Sequence, residues 1–182
     1  MRFPWTREAD PYWDAFIQRD PFHPDNQVNN AIRAWPDGSV FPVKKDVHSP
    51  DVMSGHIKEL ARFLGAGITG IVRLPEGSEH PFGIVCAFQA EDDPAQARGH
   101  GGQAPVQNGL FVTFNLGAVI REMGYRATTK ILVDAVQFAA AAGLGRLDGD
   151  GRLVTAQFGR KVHVADVVHT DLPLAPDGEA PA

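Results

Sequence analysis

The sequence has a single cysteine, Cys86, in 182 residues, and this excludes several ways of holding a fold together. One thiol cannot form an intramolecular disulfide, and it cannot supply the thiolates that an iron–sulfur cluster or a cysteine-based zinc site requires. The chain must therefore be held by a packed apolar core, for which its length and its 43% hydrophobic content are sufficient. Cys86 lies in the apolar run GIVCAF, where a free cysteine is expected to fill core space rather than to react.

The charge pattern argues against two classes of partner. The chain has 17 Lys and Arg against 22 Asp and Glu, a net charge of −5, and no basic cluster of the kind that binds nucleic acid. No stretch approaches the roughly 18 apolar residues of a membrane helix, and the N-terminal residues lack the apolar segment of a signal peptide. We therefore expect a cytoplasmic protein without a membrane span.

Residues 1–49 are rich in Pro, Asp, Asn and aromatic residues and have no sustained period, which predicts an extended N-terminal arm. Turns are expected at Pro21–Pro24 and Pro36–Gly38. The arm is expected to wrap the domain or a second subunit, because three tryptophans need burial: Trp5, Trp13 and Trp35.

The next segment has the clearest helix signals in the chain. Ser49 is a suitable N-cap, Pro50 fits the first helical position, and Gly65 is the natural C-cap. After this helix, Ile68–Leu74 and Gly83–Phe88 are short and β-branched or apolar, which predicts two strands with the second in the centre of a sheet.

The remaining elements mix helices and strands without strict alternation. This order predicts an α+β fold in which helices cover an antiparallel sheet. The predicted elements are helices over 107–123 and 130–142, a hairpin over 147–152, strands over 153–155 and 161–169, and a fraying tail over 172–182.

Several motifs are weak on their own. RGHGG at 98–102 reads as a loop or as a backbone anion site, and Asp148–Gly151 reads as a hairpin turn rather than as part of a calcium loop. His163 and His169 fall in one predicted strand, on one face but roughly 20 Å apart at about 3.3 Å per residue. They cannot share a metal ion, and no metal site is predicted.

Three segments, in order, resemble the core of the cobalamin-dependent reductive dehalogenases and of their relative epoxyqueuosine reductase. They are IKELARFLGAGITGIVRL at 57–74, AVIREMGYRA at 118–127, and the run from AAGLG to TDLPLAPD at 141–177. The last is the most specific, because TDLPLAPD follows AGLG and FG at the family's spacing.

The resemblance implies a nitroreductase-like α+β fold that binds a corrinoid through a core at residues 50–177, followed by a tail at 178–182. In the family, the matching ending leads into a cysteine-rich ferredoxin-like segment. Here five residues follow Asp177, so we expect a core that receives electrons from a separate protein. An enzyme of this kind would be a cobalamin-dependent oxidoreductase with an external electron donor.

The resemblance also suggests site residues. The family's tyrosine proton donor has no counterpart at 104–111. By the resemblance, Lys130 falls where the family has an Asn or Lys a few residues after GY-x-A, and His163 takes the place of an Arg that follows FG. Both are candidate catalytic groups, each able to transfer a proton if its pKa is suitable. The bland alternative is that Lys130 only begins a helix and His163 only packs on the sheet. The candidate cofactor-binding residues are Gly143, Gly145, Thr155, Phe158, Gly159 and His163.

Two other functions remain open on the sequence. The same fold could hold flavin or haem in an oxidoreductase, often across a homodimer. Alternatively, the chain could be a non-catalytic interaction subunit, with the N-terminal arm joining two copies into a homodimer.

Overall fold

The computed structural model describes residues 19–91 and 102–181, and with them Pro11 and Ala15. The helices of this part are α1 Gln27–Ala34, α2 Pro50–Leu64, α3 Gln103–Glu122 and α4 Ala135–Ala141. The strands are β1 Ile68–Arg73, β2 Phe82–Gln89, β3 Ala127–Thr128, β4 Arg146–Leu147, β5 Leu153–Val154, β6 Val162–Val164, β7 Val168–Thr170 and β8 Gly178–Glu179. No described helix is long and apolar enough to cross a membrane.

The main sheet has the order β3-β7-β2-β1-β8, and β6 also pairs with β2. Strand β2 is central, as predicted, and pairs with β1 in a register that runs from Ile68 opposite Ala87 to Arg73 opposite Phe82. All of these pairs are antiparallel except β1 with β8, which is parallel. The α+β prediction is confirmed, with a mixed sheet in place of the purely antiparallel one. Strands β4 and β5 form the predicted hairpin.

Each face of the sheet is covered by its own apolar cluster. Alternate residues of β2, such as Ile84 and Cys86, face α2 and α3, while Val85 faces Phe138 and Ala139 of α4. All five side chains are buried. An apolar run such as GIVCAF therefore marks a strand with helices on both sides.

Helix α2 has the predicted ends. The Ser49 hydroxyl accepts a hydrogen bond from the Val52 N–H at 3.3 Å, and Gly65 ends the helix with φ 114°. Glycine adopts this left-handed backbone conformation with little strain, so the chain can turn directly into β1.

The segment IREMGYRA fastens the N-terminal arm to the domain. The Phe41 N–H donates to the Arg121 carbonyl at 2.9 Å, the Lys45 N–H donates to the Met123 carbonyl at 2.9 Å, and the Tyr125 hydroxyl donates to the Lys45 carbonyl at 2.7 Å. Gly124 has φ 86°, and a Cβ there would lie 2.6 Å from the Val43 carbonyl oxygen. The motif thus has a structural role in this chain.

The prediction of an extended arm is wrong for residues 27–34, which form α1. The Asn26 side chain accepts from the Asn29 N–H and caps this helix, and it also donates to Gln103 of α3 at 2.6 Å. Turns occur over Pro21–Asp25 as predicted, whereas the Pro36–Gly38 region has only a bend at Trp35. Trp35 is 61% exposed, against the prediction of burial, and Trp5 and Trp13 lie outside the described residues.

Two helix starts differ from the prediction. Helix α3 begins at Gln103, because Pro105 falls in its first turn, where proline is tolerated. Helix α4 begins at Ala135, with the Asp134 carboxylate accepting from the Val136 and Gln137 N–H groups. Lys130 therefore does not begin a helix.

The strand predicted over 161–169 is broken in two. His163 lies opposite Phe88 and His169 lies opposite Gly83, so six residues on one side span five on the other. One extra residue between β6 and β7 forms a bulge and reverses the alternation. The prediction that these histidines share a face is therefore wrong: His163 faces α3 and His169 faces α4.

The tail does not fray over 172–181. Leu172 and Leu174 are buried, and β8 extends the sheet beside β1. The Asp177 N–H donates to the Ile71 carbonyl at 2.7 Å. The Ser54 hydroxyl accepts from the Ala175 N–H at 2.8 Å. TDLPLAPD thus leads the chain across to β1, where strand β8 follows it and extends the sheet.

Candidate functional site

An open groove of about 700 Å³ lies where α2 ends and β1 begins. Its volume falls within the range of roughly 300–1,000 Å³ that is usual for ligand and cofactor sites. The lining residues come from α2, β1, the turn after α4 and the turn after β5: Lys58, Arg62, Ala66, Gly67, Ile68, Thr69, Gly143, Leu144, Ala156 and Gln157.

Two glycines shape the walls of this groove, one through a close contact and one through a turn. A Cβ on Gly67 would lie 2.5 Å from the Phe158 ring, so only glycine lets that ring pack under the start of β1. Gly143 has φ 73° and turns the chain out of α4 into the groove wall. The sequence signals for these walls are GAG at 65–67 and AGLG at 142–145.

The turn after β5 is a closed unit. Thr155 and Gly159 exchange main-chain hydrogen bonds, and the buried Thr155 hydroxyl accepts from the Phe158 N–H at 2.9 Å. The neighbouring hairpin is held by Asp148, whose pKa is lowered first by the hydrogen bond from the Arg152 N–H. This wall of the groove is therefore preorganised by short-range bonds rather than by packing alone.

The floor of the groove includes an open stretch of sheet edge. Strand β8 pairs only with Val72 and Arg73, and Asp177 bonds to both main-chain groups of Ile71. Thr69 is two residues before Ile71, so its N–H and C=O also point to this edge. No strand of the described part covers Thr69 there.

Four of the predicted cofactor-binding residues lie in or beside the walls of this groove. Gly143 lines it, and Thr155, Phe158 and Gly159 build the turn that forms one wall. Gly145 is not among the lining residues, and a Cβ there would meet the Val154 carbonyl oxygen at 2.5 Å. Whether any of them binds a cofactor stays a prediction.

His163, the remaining predicted cofactor-binding residue, does not line the groove either. Its ring packs toward α3, with Nε2 3.4 Å from the position that a Cβ on Gly109 would take. Burial lowers the pKa of His163 to about 4. At neutral pH the imidazole is therefore uncharged, and a pKa this low makes it a weak base with no imidazolium proton to supply.

Lys130 lies in another place again. Its Nζ donates to the Arg33 carbonyl at the end of α1, and its side chain borders a pocket of about 20 Å³ with Asp37, Arg121 and Asp166. A space of this size holds about one water molecule. Arg121 is buried and donates to the Ala127 carbonyl at 2.9 Å. Neither of the two predicted catalytic residues, Lys130 and His163, thus lines the groove. The RGHGG motif lies outside the described residues except for Gly102.

Two further buried groups, one in β7 and one in β2, do not line the groove. His169 packs on Phe138 with a ring-centroid distance of 6.2 Å, and its Nε2 is buried without a hydrogen-bond partner. Desolvation and, second, His80 lower the pKa of His169 to about 4. Burial raises the pKa of the Cys86 thiol to about 12, so no thiolate forms near neutrality. Within residues 19–91 and 102–181, no three His, Cys, Asp or Glu side chains are placed to hold a metal ion.

The fold and groove define a class: an α+β domain with a mixed sheet, helices on both faces and an open cofactor-sized groove. Two solved structures of the N-terminally tagged catabolic reductive dehalogenase NpRdhA, one of them in complex with 3-bromo-4-hydroxybenzoic acid, have this fold. Each aligns over 85% of this chain at 26% identity with a TM-score of 0.71. A reductive dehalogenase structure reported to suggest a mechanism for B12-dependent dehalogenation aligns equally well.

These alignments confirm the resemblance that the sequence segments indicated. The chain spans 24% of the length of those reductive dehalogenases, about a quarter. The part it matches is a core domain, and the nitroreductase-like description stays a prediction. No family model matches the sequence, and no curated protein matches it.

Proposed function

We propose that this chain is a corrinoid-binding protein that carries or uses cobalamin with electrons from a separate partner. The observation that supports this most is the alignment of 85% of the chain with a B12-dependent reductive dehalogenase. Two parts of the family-like run at 141–177, AGLG and the turn after β5, also border the groove.

The groove fits a large cofactor better than the Lys130 pocket does. Its volume of about 700 Å³ compares with about 20 Å³ beside Lys130, and the open space beside Gly143 leaves main chain accessible to a ligand. Its lining has neither histidine nor cysteine, so the described residues would hold a corrinoid by its periphery rather than by ligating its metal. Bound cobalt would supply the redox chemistry, and the chain would supply binding and orientation.

Specific contacts follow from the lining. Gly143 and Leu144 offer a bare turn and an apolar surface on one side, and Gln157 offers an amide on the other. The outward main-chain groups of Thr69 can pair with amide side chains of the kind that surround a corrin ring. This arrangement does not favour haem, which would need an axial side chain from the groove.

The test is an absorption titration of the purified chain with hydroxocobalamin. We expect a saturable change in the corrinoid spectrum, and Ala156→Trp should weaken it by filling the groove. Val52→Trp is the matched control, because Val52 is 59% exposed in the first turn of α2 and does not line the groove. Parallel titrations with FMN and haem examine the alternatives, and an unchanged cobalamin spectrum would refute the proposal.

A homodimer through the N-terminal arm is a separate proposal. Residues 19–45 are fastened to α3 and to IREMGYRA, so a deletion that includes α1 would damage the domain itself. Removing only residues 1–18 is the better test, read by light scattering. A dimer that becomes a monomer would support the proposal, and an unchanged mass would exclude a dimer held by residues 1–18.

A further inference from the structure

The groove is basic although the chain is acidic. Its lining includes Lys58 and Arg62, one turn apart on α2, and no Asp or Glu. The whole chain, in contrast, has a net charge of −5. Asp177 contacts Lys58 from outside the lining, so Lys58 and Arg62 together leave an excess of one positive charge, which favours an anionic ligand group in a concave site.

Lys58 is held in place at the rim. Its Nζ lies 2.6 Å from Asp177 Oδ1, and Asp177 Oδ2 accepts from the Ile71 N–H at 2.8 Å. The ammonium has three donors, so two remain for a ligand after this contact. Asp177 therefore both orients Lys58 and leaves it able to bind.

Arg62 has no such partner. It forms no ion pair with any residue of the described ranges, and its guanidinium carries five N–H donors in a planar fork that suits phosphate. A position in the last turn of α2 accounts for one basic residue through the helix dipole, but it does not account for a second one lining the same groove.

Main-chain donors add to these side chains. In the part of the chain that the structure describes, the N–H groups of Ala156 and Gln157 donate to no protein acceptor, unlike those of Phe158 and Gly159 in the same turn. Consecutive free N–H groups in a turn commonly bind anions. Ala156 and Gln157 line the groove together with Lys58 and Arg62.

We propose that Lys58, Arg62 and the turn at 156–157 bind a phosphate ester of the cofactor, so that the groove selects the phosphate-bearing form of its ligand. This inference rests on the proposed function. For a corrinoid, the phosphate is the phosphodiester of the nucleotide arm, which cobalamin has and cobinamide lacks. For a flavin, it is the phosphate that FMN has and riboflavin lacks.

The experiment compares the dissociation constants of hydroxocobalamin and cobinamide for the wild-type chain and for a Lys58→Gln/Arg62→Gln variant. We expect cobalamin to bind the wild type at least about tenfold more tightly than cobinamide, since hydrogen bonds to charged groups contribute at this level. The double variant should lose this preference while binding cobinamide as before. Inorganic phosphate should compete with cobalamin on the wild type. Arg152→Gln is the control, an exposed arginine of the hairpin outside the groove.

The outcomes separate this inference from the proposed function. Equal binding of both corrinoids to the wild type and the variant overturns phosphate recognition and leaves corrinoid binding standing. If neither corrinoid binds, but FMN binds more tightly than riboflavin and the double variant abolishes this difference, the corrinoid proposal fails and phosphate recognition stands. If none of the four ligands binds, both are overturned. Thermal unfolding of each variant identifies any loss that comes from misfolding.

Discussion

Asp177 joins strand β8 to the edge of the sheet, and Asp177→Ala is expected to lower the free energy of unfolding. Its carboxylate accepts one main-chain N–H from Ile71 at 2.8 Å and forms an ion pair with Lys58 at 2.6 Å. The main-chain bond to a charged acceptor contributes about 1.5–3 kcal/mol, and the partly exposed ion pair adds about 0.2–1 kcal/mol. We therefore expect a loss of roughly 2–4 kcal/mol in the free energy of unfolding.

The assay is urea and thermal unfolding followed by circular dichroism. For a chain of this size, each kcal/mol lowers Tm by about 2–4 °C, so the expected decrease is about 4–16 °C. Glu179→Ala is the matched control in the same strand, because its contact with Arg73 is long, at 3.9 Å, and exposed. Asp177→Asn should fall between the two, since the amide oxygen can still accept from Ile71. If Asp177→Ala is no more destabilising than Glu179→Ala, the argument that this carboxylate closes the sheet edge is wrong.

Other predictions follow from buried groups and from one glycine. Cys86 should be unreactive to a thiol reagent at pH 8 in the folded chain and should react after denaturation, because burial raises its pKa to about 12; fast reaction of the native protein would contradict this. Burial lowers the folded-state pKa of His163 and His169 to about 4, below the value of about 6.5 for an unfolded histidine. Their contribution to stability is therefore complete above pH 6.5 and is lost as pH falls toward 4, by up to about 1.4 kcal/mol per pH unit for each histidine. His163→Gln and His169→Gln should each reduce this slope in urea unfolding measured across that range, and a flat wild-type profile would count against the burial argument. Gly124→Ala should destabilise the chain by about 1–3 kcal/mol and speed proteolysis of the arm near Val43, because a Cβ would clash there at a φ of 86°; an unchanged cleavage rate would argue against it.

Local signals predicted the elements that are defined by their own residues. Ser49, Pro50 and Gly65 fixed α2 at both ends, because each acts through its own backbone or side chain. GIVCAF identified the central strand, because only a strand covered on both faces is apolar throughout. The family-like segments indicated the reductive dehalogenases, to whose solved structures the chain is similar, because they were read in order rather than singly.

The errors arose where distant parts of the chain decide the structure. Helix α1 was missed because it is only eight residues long and its capping residue Asn26 is anchored by Gln103, which lies 77 residues further along the chain. The tail was expected to fray on composition, yet its strand is held by Ile71, more than 100 residues earlier in the chain. The bulge between β6 and β7 depends on pairing with β2, which a single strand pattern does not reveal.

The same limit applies to the candidate site. AGLG and the turn after β5 located one wall of the groove, because glycine positions mark tight turns and close approaches. Lys58 and Arg62 looked like ordinary exposed residues of an amphipathic helix. Their importance to the groove depends on the contact of Lys58 with Asp177 and on a groove lining without Asp or Glu. Helix periodicity predicts neither of these features.

The bulge between His163 and His169 has a consequence for how this segment can change in length. Because six residues span five of β2, the side chains of β6 and β7 are out of phase by one. Deleting one residue between Ala165 and Val167 would restore the phase and turn His163 toward α4, away from α3, if β7 kept its register. The effect of an insertion or deletion here therefore depends on whether the number of residues changed is even or odd. A change of two residues keeps the side chains of β6 and β7 on their present faces of the sheet, and a change of one residue moves the side chains of one strand to the opposite face.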